Sequence, residues 1–178
     1  MTVRAAIAVS LLATVSTPSA PAPAVTRVAV EVFVVGLPPG GDGRLHFARR
    51  EGALENGQDP DRRCRSLAGD DAEAIAAIHS TSWRWEPGGR IVLTYVAWMK
   101  DGRLDPDARP LPPLPTPGPT DPLHPRPAEI RELDPLAHGL RHLAFLVQRD
   151  HDGALRRALG GRAVAVLRAF EPEVAGEQ

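Results

Sequence analysis

His138 and His142 stand four positions apart in LDPLAHGLRHLAFLV. That spacing puts two imidazoles on one face of a helix, where they suit a transition metal once a third ligand approaches. His79, or a carboxylate from Glu129 or Glu132, is the candidate third group. The same three histidines, His79, His138 and His142, are the candidate catalytic residues if the chain works by acid/base chemistry instead. Distance decides whether they share an ion. Zinc–nitrogen bonds are only ~2 Å long, so a separation beyond about 10 Å would end any shared site. The sequence has no HExxH glutamate and no cysteine cluster, and no cofactor is expected, with a divalent metal as the alternative. Cys64, the one cysteine, lies between Arg63 and Arg65, which could stabilise a thiolate. The simpler expectation is an incidental surface cysteine.

Other chemistries lack their parts. His79 with Thr81 fits the His-x-Thr pattern of phosphoesterases that use two histidines as general acid and base. The second copy fails, because His142-Leu143-Ala144 and His46-Phe47-Ala48 carry alanine where the hydroxyl belongs. There is no Gly-x-Ser-x-Gly elbow and no glycine-rich loop leading into a helix. With 21 basic and 22 acidic residues the net charge is −1, without the excess that phosphate-backbone contacts demand, so nucleic acid is not expected as a partner.

The elements that would position these residues centre on Ile78–Met99, IHSTSWRWEPGGRIVLTYVAWM, which holds all three tryptophans and the only tyrosine. Two strand-like runs around Pro87-Gly88-Gly89 predict a β-hairpin. A turn symmetric about Gly88 and Gly89 sets Trp85 opposite Val92, Trp83 opposite Thr94, Thr81 opposite Val96 and His79 opposite Trp98. Ser80, Ser82, Arg84 and Glu86 then face the other way, with Ala97, Tyr95, Leu93 and Ile91. Upstream, the valine-rich run 25–35 and the alternating RLHFARR, joined by LPPGGDGR, predict a first hairpin.

Residues 51–69 lack sustained periodicity and read as loop, and AEAIAAI after Asp70 or Asp71 reads as a short helix. Ten of the 24 residues from Leu104 to Pro127 are proline, a density that keeps the segment out of helix and sheet interior. It reads as a loop within the domain, and the PxxP formed by Pro110 and Pro113 as part of it. Asp134 then Pro135 marks the start of the principal helix, with Leu133, Leu136, Leu140, Leu143 and Val147 at helical spacing. A shorter helix follows from Asp152 to Gly160, and RAVAVLRAF leans toward helix.

The expected class is α+β: a small mixed or antiparallel sheet built from two hairpins, packed with a C-terminal amphipathic helix. The domain is expected over 25–170, with a leader or signal-like segment 1–24, the Pro-rich loop 104–127 and a tail 171–178. In the leader, the apolar run 5–15 is too short to span a bilayer, and Ala22-Pro23-Ala24 offers a cleavage pattern. A cytoplasmic protein is expected, export through a signal peptide being the alternative. The composition, rich in Ala, Arg, Pro and Gly, fits a GC-rich bacterium.

AVEVFVV, then DGRLHFARR, a later strand IVLTYVAW and a closing amphipathic helix together resemble the Nudix fold over about half of the chain. The Nudix box, a helix whose glutamates hold magnesium against a diphosphate, has no counterpart. Gly52 to Gly69, where it should lie, is flanked and occupied by Glu51 and Glu55 alone, and no two glutamates are adjacent anywhere. The resemblance therefore implies a Nudix-like domain without diphosphate hydrolysis, binding a small ligand in a cleft beside the tryptophan-rich hairpin. Candidate ligand contacts are Trp83, Arg84, Trp85, Trp98, Arg49 and Arg50, the arginines toward an anionic group. Two alternatives stand beside it: a histidine-dependent enzyme, and an exported module whose exposed aromatics bind another protein.

Overall fold

The computed structural model describes residues 27–41, 43–69, 71, 73–114 and 130–172. The expected leader, the Pro-rich segment beyond residue 114 and the tail beyond residue 172 lie outside the described residues.

Strands β1 (Arg27–Gly36), β2 (His46–Ala53), β3 (Ile75–Glu86), β4 (Arg90–Met99) and the two-residue β5 (Arg109–Pro110) form one sheet in the order β3-β4-β1-β2-β5. The class is α+β, as expected, and the sheet is mixed. β1 pairs antiparallel with β2 and parallel with β4, while β3 and β4 pair antiparallel. Because β1 is central and covered on both sides, it reads as a near-continuous valine run. Val30, Val32 and Val34 point to one face, against Cys64 and Ala68 of helix α1 (Pro60–Ala68). Phe33 and Val35 point to the other, where helices α2 (Asp134–Arg149), α3 (Ala154–Leu159) and α4 (Gly161–Leu167) close the larger core over Val96 and Trp98. β5 takes a proline because it is an edge, where a missing N–H costs no ladder bond.

Three local expectations are corrected. Residues 51–69 are not all loop: β2 continues to Ala53, and α1 follows. Its start carries the same Asp-Pro signal as the later helix. The Asp59 carboxylate accepts the Asp61 N–H at 2.9 Å, Pro60 opens the first turn, and Gly69, at φ 111°, ends it. It buries only Cys64 and Ala68, with Leu67 half-buried beside them, too short an apolar face to register as periodicity. The stretch read as a helix beginning at residue 72 is strand from Ile75 on, because pairing with Met99 and burial beside it override the helix preference of alanine.

The third correction is register. Three residues, Pro87 to Gly89, separate Glu86 from its partner Arg90, so Trp85 pairs with Ile91, Arg84 with Val92 and Trp83 with Leu93. Both turn glycines have positive φ, 86° and 80°. A shift of one residue turns every side chain to the opposite face. Trp83 and Trp85 therefore leave the face they were expected to share with Val96 and Trp98, and Arg84 takes their place. An irregularity between Ser80 and Ser82 then restores the alternation, so His79 pairs with Val96 and still faces α2.

α2 buries Leu136, Leu140, Leu143 and Val147 and crosses β3 and β4 at Gly139. A methyl group there would lie 2.7 Å from Val96 Cγ2 and 3.1 Å from Thr81 Cγ2, so the helix sits as close as a glycine permits. Asp134 is the first helical residue, not the cap, and its carboxylate accepts the Arg131 N–H at 2.7 Å. RAVAVLRAF is helical through Leu167.

Candidate functional site

Glu31 is the one charged residue inside the buried run of β1, and by alternation it faces the same side as Phe33. Only 1% of it is exposed. A carboxylate there would be costly unless paired and hydrogen-bonded. The neighbouring strands supply the partners. Arg84 of β3 donates from Nη1 to Oε2 at 2.6 Å and from Nη2 to Oε1 at 3.2 Å, a two-point grip. Arg49 of β2 donates from Nε to Oε1 at 2.7 Å, and Thr94 of β4 donates its hydroxyl to Oε2 at 3.1 Å. The Thr94 oxygen accepts in turn from Arg84 at 3.2 Å.

The network continues outward. Arg84 also reaches Glu86 at 3.0 Å, Arg49 reaches Glu51 at 3.3 Å, and Arg90 bridges Glu86 and Glu51. Three glutamates and three arginines thus close a balanced ring across four strands. Burial pushes the Glu31 carboxyl up, but the hydrogen bond and charge of Arg84, followed by those of Arg49, outweigh it. They hold the carboxyl below the usual carboxylate range. Burial likewise works against the Arg84 charge, and Glu31 and then Glu86 reverse that and raise its pKa.

α2 does not cover this end of the sheet. The segment Ile130 to Pro135, which leads into the helix and forms its first two residues, stands across from the ring instead, and the gap is a cleft of about 650 Å³. Glu31, Arg49, Arg84 and Glu86 line it from the sheet, Trp85 and Pro87 from the hairpin end, and Ile130, Arg131, Glu132 and Pro135 from the other side. Ile130 and Trp85 are among the few large apolar residues left exposed. The cleft therefore combines a polar base with apolar edges, the arrangement that fixes a small ligand's orientation and buries its body.

The histidines form a second cluster, under α2 and toward the β3 edge. His79 Nε2 lies 3.1 Å from His142 Nδ1, with ring centroids 4.8 Å apart and planes tilted by 59°. The separation falls far inside the limit that a shared ion sets. His138 stacks beside His142 at 6.3 Å between centroids. Burial, and then the charge of His142, lower the His79 pKa and favour its neutral form. Among the described residues, no group of three or more His, Cys, Asp or Glu side chains is placed to hold a metal ion.

The remaining candidates are dispersed. Arg49 and Arg84 converge on Glu31 and Trp85 lines the cleft, but Trp83, 60% exposed, stands outside its lining. Trp98 belongs to the core under α2, 1% exposed. Arg50 points to the opposite face from Arg49 and pairs with Asp105 at 2.6 Å and Asp107 at 2.7 Å. Cys64 is neither exposed nor a thiolate: burial, then Asp61, push its thiol up to about 12 against the opposing charge of Arg65. Glu31, Thr94 and Ile130 are not among the candidate ligand contacts expected from the sequence. A single glutamate in the middle of VAVEVFVV was the available signal, because its parity points it inward.

Comparison with known proteins finds no family model that matches the chain and no match among curated proteins. Among the described residues no helix is long and apolar enough to cross a membrane.

Proposed function

We propose that the chain is a Nudix-like domain that does not hydrolyse diphosphates and that binds a small ligand in the cleft between the glutamate–arginine ring and Ile130–Pro135. The observation that carries this reading is the cleft itself, whose base is a buried carboxylate and two arginines fixed in place before any ligand arrives. Groups held this way lose little freedom when they bind. The Nudix likeness gains support from α1, a helix in the stretch where the box should lie. Its sequence, PDRRCRSLA, has no glutamate with which to hold magnesium. Charge balance narrows the ligand. Glu31, Glu86 and Glu132 match Arg49, Arg84 and Arg131 one for one around the cleft, and the arginines already have carboxylate partners. A diphosphate would have to displace them, whereas a net-neutral ligand with both donors and acceptors would not.

Tryptophan fluorescence provides the test. Titration with nucleosides and other net-neutral heterocycles should quench emission, and the quench should be smaller in Trp85→Phe, because Trp85 borders the cleft at the hairpin end, than in Trp83→Phe. The reverse pattern, or no quench by any of them, would remove the cleft as the binding site. Magnesium-dependent hydrolysis of a nucleoside diphosphate derivative would overturn the non-hydrolytic reading.

A further inference from the structure

The histidine pair lies apart from the cleft, and none of its members lines it. We propose that His79 and His142 form a two-histidine site for a divalent transition-metal ion, with zinc as the reference case, that ties the edge strand β3 to α2.

Geometry carries the inference. With zinc–nitrogen bonds of ~2.0–2.1 Å, two nitrogens on one tetrahedral ion lie roughly 3.3–3.4 Å apart. The facing nitrogens of His79 and His142 are 3.1 Å apart, so an opening of a few tenths of an ångström separates the two arrangements. Their ring planes are tilted at 59°, and the centroids are only 4.8 Å apart, closer than two rings meeting end to end would be. The two rings therefore approach at an angle, as two imidazoles on one ion do. In the ion-free contact one neutral imidazole donates its N–H to the other. On binding, the donor's proton moves to its far ring nitrogen, both facing nitrogens present lone pairs, and the total number of protons is unchanged.

Ligand type sets the ion. Two imidazoles favour zinc, copper or nickel over magnesium and calcium, which require oxygen ligands. Among the described residues no third ligand of this kind stands with the pair, so these residues supply the site with two protein ligands. The fold sets the distance: His142 comes one helical turn after the approach at Gly139, and that approach brings it against the edge strand. His138, one turn earlier, lies beside the pair and is not a ligand in this arrangement.

The experiment is calorimetric titration of metal-stripped full-length protein with zinc, with magnesium as the contrast. One zinc per chain and no magnesium uptake are expected. His79→Gln and His142→Gln should each weaken zinc binding by at least about tenfold, since even the hydrogen-bond partners of a metal ligand are worth that much. His138→Gln should bind as the parent does. Circular dichroism establishes which variants fold. Should His142→Gln fail to fold, His79→Gln, on the edge strand, carries the test. Absence of zinc uptake by the parent, undiminished uptake in a folded His79→Gln variant, or an equal loss in His138→Gln would each overturn the assignment.

Discussion

One face of the sheet carries two buried polar clusters that meet the same difficulty in opposite ways. At the end α2 leaves open, Glu31 stays charged because Arg84, Arg49 and Thr94 surround it. Under α2, His79 is favoured in its neutral form and meets His142 at one contact. The first cluster spans four strands that backbone ladders join to one another. The second joins a helix to an edge strand across the close approach at Gly139. Charge inside a protein thus calls for rigid partners of opposite charge, whereas neutral imidazoles can meet each other directly. The charged cluster is accordingly a fixed base for a ligand, and the histidine pair is the one with room to adjust.

The largest effect should come from breaking the charged cluster. Glu31→Ala leaves Arg84 half-compensated at the back of the sheet and should cost about 3–5 kcal/mol, the range for removing one partner of a buried ion pair. Urea denaturation reads this directly. Acid reaches the same carboxylate. Its folded pKa is lowered from 4.5, so between 4.5 and that lower value the unfolded chain binds the proton and the folded chain does not. The contribution of Glu31 is therefore complete above pH 4.5 and is lost as pH falls through the folded value. The difference in stability between the parent and Glu31→Gln should shrink over that acid window. A constant difference down to the lowest pH at which the parent folds would contradict the linkage.

The histidine side of the comparison is sharpened at Gly139. Gly139→Leu places a branched side chain where a Cβ alone already meets Val96 and Thr81, so α2 must lift from β3 and β4. Overpacking of this kind costs typically about 1–3 kcal/mol, and the same movement draws His142 away from His79. Thermal denaturation should show the loss. Histidine NMR signals should report separation of the pair while the backbone amide signals of Glu31, Arg84 and Thr94 stay in place. A variant of parental stability would show that the helix is not held at that point.

How much of this was legible in the sequence depended on whether the signal was local. Asp-Pro before a leucine periodicity and Pro-Gly-Gly between two β-branched runs are local, and both elements appear, as α2 and the β3–β4 hairpin. The pairing of β1 with β4 is not local, and no short motif encodes a parallel contact across more than fifty residues. The ring around Glu31 depends on that pairing, because Thr94 and Arg84 reach Glu31 only after β4 lies beside β1. The hairpin register failed for a smaller reason. A symmetric turn assumes two loop residues, whereas this one has three, and the extra residue exchanged Arg84 for the tryptophans on the face toward α2. α1 was missed although its Asp59-Pro60 start was legible, because it buries too few apolar residues for a period to show.

That register shift makes the smallest prediction a test of the whole comparison. If Trp83 faced the core, as a symmetric turn would have it, Trp83→Thr would create a large cavity and cost about 3–5 kcal/mol. In the observed register Trp83 is 60% exposed and pairs with Leu93 on the face away from α2, so the substitution removes little buried surface and keeps a β-branched residue in the strand. The change should stay within about 0.5 kcal/mol, as for ordinary surface positions. Because Arg84 sits between the two tryptophans and faces the other way, a small effect at Trp83 together with a large one at Glu31 is what the alternation requires. The opposite pattern would return the tryptophans to the face toward α2 and remove Arg84 from Glu31.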